Sequence, residues 1–224
     1  MSATIKEEIR CPGQDCGEVF EAELHYSINV QQDPELKELL LAGELNLVAC
    51  PRCKTLFYAE YFVLYIEPGR ELLAYVYPKS CEKDRSQWEN KVSMDFRKAQ
   101  SELADDEKVP YEPVVLFGMD ALLHLLEYEE LQFDEVAVLE SIYRNLGLEV
   151  LRIGRAEARK RNIPPLLPVK KGGNTPLKHR VIEGIKVMLQ SMPDMDIYRS
   201  SLDRIADDSS LNIEDLAETE RVPG

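Results

Sequence analysis

From Phe20 to Val30 every second position is apolar (Phe20, Ala22, Leu24, Tyr26, Ile28, Val30), and the positions between them are mostly polar. A period of two sets one face of a strand against a core and the other toward water, so the pattern predicts a half-buried strand. Asp33-Pro34 predicts a short helix running through Leu41, with Asp33 as N-cap, Pro34 at the first helical position and Gly43 ending it. A second strand enters Cys50, and Thr55 to Ile66 predicts a long, aromatic-rich strand leaving it. Glu67-Pro68-Gly69-Arg70 has Pro and Gly in the central positions that a type II turn prefers, and Glu71 to Tyr77 predicts the returning strand.

After Pro78 the period becomes helical. Trp88, Val92, Phe96, Ala99 and Leu103 form one stripe of a helix of about six turns. Asp105, Asp106, Glu107 and Lys108, followed by Pro110 and Pro113, make a hydrophilic break. Met119, Leu122, Leu123 and Leu126 predict the next helix. Val136, Leu139, Ile142, Tyr143 and Leu146 predict another, with Asp134 near its start and Gly147 past its end. A shorter basic helix is expected from Leu151 to Asn162, stopping at Pro164-Pro165, with residues 164–174 as a linker. Thr175-Pro176 opens a helix whose apolar face is Leu177, Val181, Ile185 and Met188. Residues from Pro193 onward are polar and acidic and read as a mobile tail, with short docking helices near Ile205 and Leu216.

Charge refines this picture. The formal net charge is −14, which argues against a general binder of nucleic acid or anionic membrane. Residues 111–151 carry one basic and nine acidic groups, whereas residues 152–186 carry ten basic and two acidic. The basic block is a local feature of an acidic chain, and it can either neutralise the segment before it or contact an acidic partner. Met1 to Arg10 hold no apolar stretch resembling a signal peptide, and the densest apolar run, Leu56 to Ile66, is too short to cross a bilayer. A cytoplasmic location is the expectation.

Four of the five cysteines fall in two tight pairs. Cys11-Pro12-Gly13-Gln14-Asp15-Cys16 separates its thiols by four residues and Cys50-Pro51-Arg52-Cys53 by two. Both spacings suit a turn that aims two sulfurs at one ion. Proline after the first cysteine fixes φ, and Gly17 supplies a permissive backbone after Cys16. Lys54 stands in the equivalent place after Cys53, where its charge could offset part of the net −2 of a zinc tetrathiolate. Two such knuckles at hairpin ends predict a zinc ribbon with one structural Zn²⁺ on Cys11, Cys16, Cys50 and Cys53. Four thiolates would leave no open position for a water. Iron in a rubredoxin-like centre and a dithiol redox pair are the alternatives.

At these residues the chain resembles the CPXC-type proteins, a mainly bacterial group named for two Cys-Pro-x-Cys motifs. The resemblance covers about residues 9 to 80, one domain's worth of chain. It is carried by both knuckles, Ser27-Ile28-Asn29-Val30, Asp33-Pro34-Glu35-Leu36-Lys37, Gly43-Glu44-Leu45-Asn46, Leu64-Tyr65 and the strand ending at Pro78. It implies a zinc-binding domain without an established activity. The first knuckle is longer here than in the family pattern, and Lys54 replaces the usual glycine.

The reading is therefore α+β: a zinc-ribbon-like antiparallel β domain with an inserted short helix over residues 1–80, a mainly helical domain over 81–192 with a break near 105–113, and an acidic tail over 193–224. No catalytic residue is assigned. Cys81, near a helix start, lacks a histidine partner in sequence, and His25 lies on the polar side of its strand. Asp120, His124 and Glu127 share helical spacing that suits a metal or an acid–base pair, yet in so acidic a stretch they read first as a solvated face. Lys170-Lys171-Gly172-Gly173-Asn174 lacks the arrangement of a phosphate loop. The leading function is a non-enzymatic zinc-containing scaffold or adaptor that binds another protein. Nucleic-acid binding through Arg152, Arg155, Arg159, Lys160, Arg161, Lys170 and Lys171 is the second reading, and a redox or metal-dependent enzyme the third.

Overall fold

A computed structural model describes residues 1–172, 174–208 and 211–216, and the side chains of Phe133 and Asp134 lie outside the described set. The chain divides into two compact units, Met1–Glu127 and Tyr128–Gly224.

The first unit is built on a five-stranded sheet. Its strands are β1 (Ala3–Arg10), β2 (Val19–Asn29), β5 (Val63–Glu67), β6 (Leu72–Tyr77) and β7 (Val114–Phe117), in that spatial order. β3 (Leu47–Ala49) and β4 (Leu56–Tyr58) form a separate two-stranded hairpin. The sheet is mixed rather than wholly antiparallel: β2 runs parallel to β5, and β6 parallel to β7. Parallel neighbours need a long crossover. The first crossover carries α1 (Glu35–Leu41) and the β3–β4 hairpin, and the second carries α2 (Arg85–Glu102).

Several expectations shift here. The single strand expected over residues 55–66 is two strands, because β4 pairs only with β3 whereas β5 pairs with β2 and β6. α1 starts at Glu35 and has no side-chain cap; the Asp33 carbonyl, not its carboxylate, accepts the Leu36 N–H at 3.2 Å. Strands β1 and β7 had no reading in the hydrophobic pattern. β7 explains why the chain does not divide near residue 80: it returns to pair with β6 and brings α2 with it.

Alternation sorts the sheet faces. Val63, Tyr65, Leu72, Ala74 and Val76 pack with Ile28, Leu36, Leu40 and Leu45 and with Leu122 and Leu126 of the next helix. Within this layer the Glu67 carboxylate is buried and takes three donors. Tyr65 Oη donates at 2.7 Å, Lys37 Nζ at 2.9 Å, and Arg70 Nε lies 3.1 Å away. On the opposite face the Tyr77 and Trp88 ring centroids are 4.4 Å apart and Val92 of α2 is buried.

α3 (Met119–Asn145) is one continuous helix where two were expected. Its first turns belong to the first unit and the rest to the second. In the second unit β8 (Leu148–Arg152) and β9 (Leu166–Lys170) pair antiparallel, so the predicted basic helix is only α4 (Arg155–Arg161), and the predicted linker contains a buried strand. α5 (Leu177–Ser191) buries Val181, Ile185 and Met188 of the expected face. The segment read as a mobile tail folds as far as Leu216. α6 (Asp196–Asp207) buries Tyr198 and Ile205, and a short 3-10 turn, Ile213–Leu216, buries both its end residues. The tail's remainder, residues 217–224, lies outside the described residues. The short helices expected near Ile205 and Leu216 are α6 and this 3-10 turn, and a sparse apolar stripe is all that a surface helix needs.

Gly184 shows how closely α5 approaches the hairpin, because a Cβ there would sit 2.2 Å from the Pro168 carbonyl oxygen. Alanine is better than glycine inside a helix by ~1 kcal/mol. Displacing a backbone carbonyl in a packed layer costs more, so Gly184→Ala is expected to lose about 1–3 kcal/mol in urea unfolding. Glu67→Ala removes the carboxylate between two largely buried cations, Lys37 and Arg70, and is expected to cost about 3–5 kcal/mol in the same measurement.

Candidate metal centre

Each cysteine pair occupies the tip of a hairpin. Cys11 follows β1 and Cys16 precedes β2; Cys50 and Cys53 join β3 to β4. The hairpins close with Cys11 N–H to Glu18 O at 2.8 Å and Cys50 N–H to Thr55 O at 3.0 Å. Two left-handed residues turn the chain out of the knuckles, Gly17 (φ 55) and Lys54 (φ 63). At Lys54 the conformation is supported by its Nζ, which donates to the Pro51 carbonyl at 2.9 Å. The ammonium is thus tied to its own turn.

The four Sγ atoms lie within 4.8 Å of one another, a group that could hold a metal ion. Cys11 and Cys53 Sγ are 3.5 Å apart, and Cys16 and Cys50 Sγ 3.6 Å. Each close pair takes one sulfur from each knuckle, so the hairpins interlock instead of sitting side by side. A tetrahedron with metal–sulfur bonds of ~2.3 Å has edges of about 3.8 Å, and the observed spacings fit it. The longer first knuckle does not spoil the geometry. Gly13 bends into the turn, its N–H pointing at Cys11 Sγ at 3.4 Å and its carbonyl accepting Cys16 N–H at 3.0 Å. A Cβ at Gly13 would stand 3.3 Å from Cys16 Cβ and 3.4 Å from Cys11 Sγ, which leaves room for little else.

The thiols differ in acidity. The Thr55 hydroxyl, 3.1 Å from Cys53 Sγ, and the Thr55 N–H together draw the exposed Cys53 thiol down to about 6. At Cys11 the Gly13 N–H pulls downward, but burial and the neighbouring thiols outweigh it and push the group up to about 12. Cys16 also rises: the Glu18 N–H lowers it, and burial with the thiols of Cys53 and Cys50 raises it more. Crowded sulfurs cannot all ionise unless a cation neutralises them. The amides of Gly13, Glu18 and Thr55, each two residues past a cysteine, are the donors that a thiolate cluster would use.

Beneath the knuckles, Phe20 and Phe57 meet edge to face at 6.3 Å, and Arg52 reaches Glu18 at 3.6 Å. Asn46, itself left-handed (φ 55), performs a strand's role with its side chain. Its Oδ1 accepts His25 N–H at 2.8 Å and its Nδ2 donates to His25 O at 2.9 Å. β2 is thereby paired just before its ladder with β5 begins at Ser27. Gly43 (φ 70) ends α1, and its carbonyl accepts the Tyr58 hydroxyl at 2.5 Å, so the Gly43-Glu44-Leu45-Asn46 stretch ties α1, β2 and the second hairpin together. Sequence reasoning noted this stretch without seeing its work, because the pairing of an asparagine amide with a distant backbone has no local signature.

The fold and site define an α+β protein whose two cysteine knuckles form a cluster that could hold a metal ion. The chain belongs to the CpXC protein family, whose match spans residues 9–142. That span reaches past the motifs of the first 80 residues to take in α2, β7 and most of α3. Comparison with curated proteins and with solved structures gives no match.

The other candidates do not converge. Asp120, His124 and Glu127 are all exposed on α3, and among the described residues the four cysteines alone form a metal-sized group. Cys81 is free and partly buried in the turn before α2. Much of the basic block is engaged within its own unit. Arg152 pairs with Glu140, Arg159 with buried Glu129 at 2.6 Å, Arg161 with Glu157 at 3.1 Å, and Arg180 with Glu149 at 2.5 Å. Lys170 lies 3.9 Å from Glu183, Arg155 and Lys160 also have partners, and Lys171 is exposed. Gly173 of the lysine–glycine stretch lies outside the described residues. No helix among the described residues is long and apolar enough to cross a membrane.

Iodoacetamide reacts with thiolates, so the metal-free, reduced protein is expected to be alkylated first at Cys53, with a rate that rises through pH ~6, and last at Cys11. Peptide mapping by mass spectrometry reads the order. Equal rates at the four sites would mean that the knuckles do not hold this arrangement without an ion.

Proposed function

We propose that Cys11, Cys16, Cys50 and Cys53 bind one zinc ion, which is structural, and that the protein is a non-enzymatic scaffold or adaptor. The observation that carries the metal reading is the interlocked pairing of sulfurs from two hairpins at tetrahedral spacing. Four protein ligands complete zinc's coordination, so the ion would supply folding energy and no reactive water. An all-thiolate site with amide donors also suits iron, which is the alternative to test. The adaptor role is supported by what the second unit lacks as a nucleic-acid surface: arginines that would contact phosphate are already opposite carboxylates.

Elemental mass spectrometry on protein purified without added metal is expected to find one zinc per chain. The Cys50→Ser/Cys53→Ser variant should lose the metal and unfold at lower urea. Acid acts in a definite direction: bound cysteines must be deprotonated, so metal and the stability it contributes are present at neutral pH and lost as pH falls. Iron in the sample, or no metal with reversible thiol oxidation, would replace the structural-zinc reading.

A further inference from the structure

Within the second unit, the outer face of α3 carries Tyr128, Leu131, Glu135 and Val138 at spacings of three, four and three residues. Residues so spaced stand in one line along a helix. The three apolar members are 46%, 64% and 58% exposed, whereas Leu139 and Tyr143 on the inner face are buried in the core. Beside the line lies a cavity of about 210 Å³. Its walls are Tyr128, Leu131 and Val136 of α3, the Pro164-Pro165 turn, and Met195 and Ile197 at the start of α6. Its floor includes Tyr198, whose hydroxyl is already satisfied by the Leu166 carbonyl at 3.0 Å and by Tyr143 at 2.5 Å. Nothing on the floor calls for a polar group, so what enters must be apolar.

The lip supplies the sign of the charge. Glu135 lines the cavity, is exposed, and has no ion pair among the described residues. Arg204 is not part of the cavity lining, and its guanidinium donates to the Asn162 carbonyl. Helical spacing of exposed apolar residues, a cavity sized for a bulky side chain and a lining carboxylate outside any ion pair among the described residues are complementary to an amphipathic helix with basic flanks.

We infer that the α3–α6 groove of the second unit docks a basic amphipathic helix from a partner protein, which inserts one large apolar side chain beside Leu131 and sets a lysine or arginine against Glu135. The inference rests on the adaptor reading only in taking a protein as the partner, and it is independent of the metal.

The test uses the full chain as purified and two fluorescein-labelled probe peptides of about fourteen residues, Leu/Lys and Leu/Glu amphipathic helices. Anisotropy titration is expected to give tighter binding of the Leu/Lys peptide. Leu131→Ser and Glu135→Lys should each weaken it about tenfold, equivalent to ~1.4 kcal/mol. Both sites are exposed, so folding should survive; circular dichroism checks this, and Glu135→Gln serves if the lysine variant does not fold. Asp106→Lys makes the same charge change outside the cavity lining and should have less than about a twofold effect, because net charge alone does not seat the peptide. Equal binding of the two peptides, indifference to Leu131 and Glu135, or an equal response to Asp106→Lys would overturn the groove assignment. Those outcomes leave the adaptor reading standing, because that reading fails separately, if the zinc-containing chain proves to have redox or metal-dependent activity.

Discussion

The convergence of four sulfurs at one point is the constraint on which the N-terminal architecture depends. Two short hairpins far apart in sequence must present their tips to each other, and each must give one sulfur to each close pair. Thiols packed so tightly repel once ionised, and burial opposes the charge further; these push the Cys11 thiol up, while Thr55 draws Cys53 down. A bound cation would resolve the conflict, and its binding energy would become folding energy. The three-residue strands β3 and β4 are too short to persist by their own pairing, so a cross-link at their tip is what such a hairpin needs.

The crossover that carries this hairpin also sets the sheet. Because α1, β3 and β4 all intervene between β2 and β5, the chain re-enters in the same direction and the pair is parallel. The gap left where β2 extends beyond β5 is closed by the Asn46 amide. A buried ionic layer around Glu67 holds α1 to β5 and the turn that follows it. Cysteine cluster, amide bridge and ionic layer thus meet the same inserted segment at three places, and this gives physical content to motifs that in sequence are only a pattern of Gly, Asn, Asp and Pro.

The second unit solves its charge problem internally. Its acidic and basic blocks are adjacent in sequence and face each other in space, so the long α3 gains partners from α4 and β8 instead of remaining a highly charged helix. Each exposed pair contributes little, roughly 0–1 kcal/mol. The buried Arg159–Glu129 pair acts mainly through the penalty for breaking it.

The sequence by itself determined the elements whose signal is local. Alternation marked β2, the Pro68-Gly69 turn marked β6 as the returning strand, 3.6-residue spacing marked α2 and α5, and the cysteine spacings marked the two knuckles. Local patterns fix which face of an element is apolar, and thiols two to four residues apart can only meet in a turn. Tertiary structure decided the rest. It divided residues 55–66 between two sheets, recruited β7 to the N-terminal unit, fused two predicted helices into α3, paired a supposed linker with β8, and packed the acidic segment around Tyr198 and Ile205 into a core. Each of these outcomes depends on partners distant in the chain. Non-local pairing leaves only a faint trace in the pattern of any one segment, and short edge or hairpin strands such as β7, β8 and β9 are stable only because of what lies against them.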